Sequence, residues 1–161
     1  MTEVVAVRED VHIHAEPAVI QRRILALESY EEWLGTAFRA YTADDEGFAF
    51  TLALPARTEE GHLRRAGIET GAVTFARDGD GAIESITWAM HVENAREVHL
   101  TVEAAYRPAG GLLGAFMETL FHRPHRAQAF RDALWHLKHL VEAERASAIP
   151  QPRPADGSAR G

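Results

Sequence analysis

Apolar and polar positions alternate along most of this chain and change to helical spacing in its last third. From Glu3 to His14, Val5, Val7, Val11 and Ile13 share one parity, the period-2 signature of a half-buried strand. Glu9 falls on the same parity. Either a bulge releases it to solvent, which is the expectation, or it points inward and needs a partner. Ala15-Glu16-Pro17 turns the chain, and Pro17 suits a first helical position. Val19, Ile20, Ile24 and Leu27 then predict a short helix to about Leu27. Ser29 with Glu32 three residues later reads as a capping box, starting a second short helix that carries Trp33 inward.

From Thr36 the pattern is strands. Phe38, Ala40 and Thr42 alternate with Arg39 and Tyr41; Asp44 to Gly47 is a hairpin turn; Phe48, Phe50, Leu52 and Leu54 line one face. Pro55 ends that strand, and Ala56 to Gly61 reads as a polar connection. Leu63 to Arg77 is one interrupted strand or two short ones, with Gly67 and Gly71 at bends and Val73 and Phe75 inward. Asp78-Gly79-Asp80-Gly81 is a strong turn signal. Ile86, Trp88, Met90 and Val92 form the next inward row, and Val98, Leu100, Val102, Ala104 and Tyr106 the last. Short connections imply an antiparallel meander of six or seven strands, curved round an apolar filling.

After the breaker Pro108-Ala109-Gly110-Gly111, Leu112 to Glu144 reads as one long helix. Leu113, Phe116, Met117, Leu120, Phe121, Ala127, Phe130, Leu134, Leu137 and Val141 form its stripe, which must lie against the sheet. Pro124 implies either a bend near Phe121 or a helix that restarts with Pro124 in its first turn. Residues 146–161 hold three prolines and almost nothing apolar, so a flexible tail is expected behind a domain of residues 1–145.

Composition narrows the function classes. The chain has no cysteine, which removes disulfides, thiolate metal sites and cysteine nucleophiles. A net charge of −7 without a dense basic patch argues against nucleic acid. No run is long and apolar enough for stable membrane insertion, and no signal peptide is visible, so a cytoplasmic location is the default. Nine histidines invite a metal reading. His12 and His14 share a polar strand face, His136 and His139 lack a third ligand, and His122 and His125 flank Pro124, so no metal is expected. No phosphate loop or Gly-x-Ser-x-Gly elbow is present.

The order strand, two short helices, meander and closing helix resembles the START-like helix-grip superfamily, in its polyketide cyclase/dehydrase and lipid-transport (SRPBCC) branch. The pieces that carry the resemblance are Val11 to Val19, Tyr30-Glu31-Glu32-Trp33, Ile83 to Trp88, Val98 to Tyr106, and Leu134 to Lys138 running on to Glu144. Together they cover residues 3–145. The resemblance implies an α+β fold with a hydrophobic cavity between a curved antiparallel sheet and the C-terminal helix, admitting a lipid, polyketide or similar molecule. Among the aromatic and apolar positions, those expected to line it are Phe38, Phe50, Leu52, Phe75, Trp88, Met90, Leu100, Tyr106, Phe116 and Leu120.

Two function classes follow: a binder of a hydrophobic small molecule, and an aromatic polyketide cyclase or dehydratase whose polar groups move protons in that cavity. Glu9, Thr42, Arg65, Glu69, Glu84 and Tyr106 are the polar candidates, with Tyr106 the best placed. His91 should face out. No pair among them is secure, so catalytic residues are left unassigned and binding is favoured. A collapsed core without a pocket would instead indicate an interaction module. No cofactor is expected, and a homodimer is compatible with the sequence.

Overall fold

The computed structural model describes residues 4–108 and 110–148. Seven antiparallel strands form one sheet in the order β1-β7-β6-β5-β4-β3-β2. They are β1 (Val5–Ile13), β2 (Phe38–Ala43), β3 (Gly47–Leu54), β4 (Arg57–Glu69), β5 (Ala72–Arg77), β6 (Ile83–Asn94) and β7 (Glu97–Tyr106). Helix α1 (Pro17–Leu25) and a 3₁₀ helix (Leu27–Glu32) follow β1. The C-terminal helix is built from α2 (Gly111–Met117), a π turn (Glu118–His122) and α3 (Arg123–Ala148). The sheet curls into a half-barrel against this helix, the helix-grip α+β arrangement.

The inward rows of β3, β5 and β7 are buried as their period-2 patterns require. On α3, Phe130, Leu134, Leu137 and Val141 are buried at helical spacing and close the core. Eight aromatic rings fill the concave face: Tyr30, Trp33, Phe38, Phe48, Phe50, Phe75, Trp88 and Phe130. Many meet edge to face, as do Trp33 and Trp88 at 5.4 Å and Phe48 and Phe75 at 5.0 Å.

The structure departs from the sequence reading at identifiable points. Ser29 is not a cap. It sits inside the 3₁₀ helix and its hydroxyl donates back to the Ala26 carbonyl at 2.7 Å. In β2 the register shifts between Arg39 and Thr42, with Ala40 at φ 51°, so Tyr41 packs against the core and Thr42 turns out. Val92 lies on the predicted inward row but is exposed, because β6 runs on past the core there.

The stretch read as a polar connection after Pro55 is mostly strand. Pro55 and Ala56 alone make the turn, Leu54 pairs with Arg57, and Glu59, Gly61 and Leu63 face inward. Gly61 is required there, since a Cβ would lie 2.7 Å from the Phe50 ring that packs over it. Glu9 does point inward and is partnered: Arg131 of α3 grips its carboxylate at 2.9 and 3.2 Å.

The far end of α3 is tied to the end of β1 by polar contacts. Glu142 accepts from the His14 amide at 3.0 Å and from Lys138 Nζ at 2.7 Å, and Lys138 also donates to the His12 carbonyl at 2.7 Å. Partial burial opposes the charge on Glu142, but these donors and their positive charge outweigh it and lower its pKa. A depressed carboxylate pKa contributes stability above the unfolded value of about 4.5, lost as pH falls through the folded value. Glu142→Gln should therefore cost on the order of 1 kcal/mol at pH 7. The difference from wild type in thermal melts should shrink as pH drops below about 4.5.

The helix reaches Ala148, three residues into the segment expected to be tail; residues 149–161 lie outside the described residues. Among the described residues, no helix is long and apolar enough to cross a membrane.

Candidate functional site

Two features stand out between sheet and closing helix: the aromatic interior, and a buried charge cluster under the start of that helix. The cluster exists because the π turn resets the phase of the helix. One wide turn inserts an extra residue, so side chains before it are rotated relative to the buried stripe of α3. Pro124 in the first turn of α3 is tolerated just beyond it. Glu118, His122 and Arg126 consequently face inward, spaced four apart.

Arg126, 1% exposed, lies at the centre. Its Nε and Nη2 meet Glu59 at 2.7 and 2.6 Å, its Nη1 donates to Glu118, and its guanidinium stacks 3.5 Å from the centre of the Tyr106 ring. Burial opposes the Arg126 charge, but the hydrogen bonds and charges of Glu59 and Glu118 hold its pKa above the ordinary arginine value. The Tyr106 hydroxyl donates to Glu118 at 2.6 Å. Burial, helped by that bond, raises the phenol pKa. Arg57 Nη2, 3.2 Å from Glu59, supplies a second positive charge at the rim. Two carboxylates thus face two guanidiniums. His122 lies 3.3 Å from the Pro55 carbonyl and 3.9 Å from Glu118 Oε2, an oxygen with no hydrogen-bond partner among the described residues.

Of the residues expected to line a cavity, Phe38, Phe50, Leu52, Phe75, Trp88, Leu100 and Tyr106 are buried on the concave side. Met90 is half-buried against it. Phe116 and Leu120 are elsewhere: 56% and 52% exposed, they share the outer face with Leu112, Leu113 and Phe121. The π turn is the cause, since it turns the apolar side outward and Glu118 inward. Helix α2 itself buries no side chain.

Among the polar candidates, Tyr106 joins the cluster. Glu69 is exposed, Glu84 is held by Arg77 and Arg107 at the start of β6, and Arg65 donates to the Asp45 carbonyl at 2.9 Å. His91 faces out. Sequence reasoning missed Glu59, Glu118 and Arg126, and considered His122 only as a metal ligand. The parity running back from Leu63 through Gly61 points to Glu59, and the four-residue spacing of the other three was a signal outweighed by the more numerous apolar positions. No three His, Asp or Glu side chains among the described residues are grouped to hold a metal ion.

A crevice of about 10 Å³, lined by Gln21, Ile24, Glu69, Val73, Trp88 and Met90, reaches Trp88 between α1 and strands β5 and β6 near the β4–β5 turn. That is room for roughly one water. Two polar atoms in the aromatic interior, Trp33 Nε1 and Trp88 Nε1, are buried without a hydrogen-bond partner. The phenols beside them are satisfied: Tyr30 donates to the Ile24 carbonyl at 2.5 Å and Tyr41 to that of Leu27 at 2.6 Å.

No family model matches the chain. No curated protein matches it by sequence. Solved structures do match in fold. An aromatase/cyclase from a Streptomyces species superposes with a TM-score of 0.70 at 11% identity, over 92% of this chain and 100% of its own. A START superfamily protein from Mycobacterium smegmatis gives 0.65 at 10%, over 86% and 98%. A Thermus thermophilus protein gives 0.71 at 14%, over 87% and 99%. At these identities the likeness concerns the fold, and the fold is START-like helix-grip.

Proposed function

We propose that the protein binds a hydrophobic small molecule, a lipid, polyketide or similar compound, between the concave face of its sheet and its C-terminal helix. The observation that carries this reading is the aromatic lining of the concave face together with the crevice that reaches Trp88 beside the half-buried Met90. Large apolar surfaces with few polar groups are what such ligands require. The crevice is far smaller than a ligand, so binding needs the interior to open. The seam between α1 and β5, where the crevice lies, is the place for that. Helix α2 is a second candidate for movement, because it anchors no side chain in the core.

An aromatic cyclase or dehydratase stands second, favoured by the convergence of Tyr106, Glu118, Arg126 and His122 and by the unpartnered oxygen of Glu118. It ranks lower because the cluster is closed over and its phenol proton is committed to Glu118. The test of the first reading is titration with a fluorescent apolar probe. Wild type should take it up with saturation, and Trp88→Ala, at a concentration where it remains folded, should bind at least several-fold more weakly. Uptake unchanged by that substitution would place any binding elsewhere.

A further inference from the structure

We infer that the interior ligand carries a hydrogen-bond acceptor, a ketone-type carbonyl oxygen, met by the indole N–H groups of Trp33 and Trp88. This rests on the proposed binding function and adds the chemical class of the ligand. Trp33 and Trp88 are 1% and 2% exposed, their rings are 5.4 Å apart, and neither Nε1 has a partner among the described residues. A buried donor left unmade carries the full cost of its lost hydration. The edge-to-face contact of the two rings offers at most a weak substitute, and only to the ring whose edge is presented.

The contrast with the neighbouring side chains is informative. Tyr30, in ring contact with both indoles, spends its hydroxyl on a backbone carbonyl, as does Tyr41. The unmet polar capacity of this aromatic cluster is therefore donor capacity. An indole N–H can only donate. Its complement is an acceptor, so a ligand presenting an ammonium group here would gain nothing from it. A pure hydrocarbon would leave both donors unmade. Trp88 also lines the crevice between α1 and β5, so the route inward passes one of the two indoles.

The experiment compares 9-fluorenone with fluorene, which differ by the carbonyl, on the full chain. Indole ¹H–¹⁵N resonances are followed by NMR, with the half-exposed Trp135 as an internal control. The ketone should bind on the order of tenfold more tightly, the worth of one or two hydrogen bonds. It should move the Trp33 and Trp88 N–H signals downfield and leave that of Trp135 in place. In Trp88→Phe the preference should shrink. If the variant fails to fold, the wild-type shifts still decide. Equal binding of both compounds without downfield shifts overturns the acceptor inference and leaves the proposed function standing. Binding of neither overturns both.

Discussion

Replacing Arg126 with alanine should destabilise the protein by roughly 3–5 kcal/mol, the cost of stranding buried charges. Glu59 and Glu118 are 2% and 4% exposed, and Arg126 is the cation that meets both. Arg57 reaches only Glu59, from the rim. The substitution also removes the guanidinium from the Tyr106 ring. Urea denaturation at pH 7 reads the loss directly. Arg126→Lys should recover little, because an ammonium cannot present a fork to Glu59 while reaching Glu118. Replacing all three charged residues by apolar ones of similar volume should be far milder than the single change, since no unpaired charge remains. A cost below about 1 kcal/mol for Arg126→Ala would mean that water reaches the carboxylates.

Phe130→Ala should cost about 3–5 kcal/mol by leaving a cavity where helix and sheet meet. Phe130 is 1% exposed and sits edge to face on Phe38 at 5.3 Å. Phe116→Ala, on the same long helix but exposed, should change stability by no more than about 0.5 kcal/mol. The pair of measurements tests the phase shift at the π turn. If the apolar residues of α2 packed inward, the two costs would be similar.

Much of the architecture was legible because period-2 and period-3.6 patterns report burial directly. The rows on β3, β5 and β7, and the stripe from Phe130 to Val141, needed no tertiary information. What failed were local changes of phase. A bulge in β2 exchanged Tyr41 for Thr42, and a π turn exchanged Phe116 and Leu120 for Glu118 and His122. Both insert one residue into a regular count, which flips or rotates everything on one side. Nothing in the local alternation marks them.

The charge cluster was hidden for a related reason. Glu59 looks like a turn residue until Pro55 and Ala56 are seen to complete the turn alone, and Arg126 looks solvated until its two carboxylates are known to face it from β4 and the π turn. A buried ion network is a long-range property: Arg126 and Glu59 are 67 residues apart. Glu9 gives the same lesson in the other direction. Its inward parity was readable, and its partner Arg131 was not.

The central claim, an apolar ligand held between sheet and helix, is most directly tested by native mass spectrometry of the purified full chain, followed by mass analysis after denaturation. The account predicts added mass in the native spectrum that is lost on denaturation, from an apolar compound bearing a carbonyl oxygen. It also predicts that Trp88→Ala retains less of that compound. A native mass equal to that of the bare chain, with no apolar probe taken up afterwards, would contradict it. The aromatic interior would then be a closed core, and the protein an interaction module.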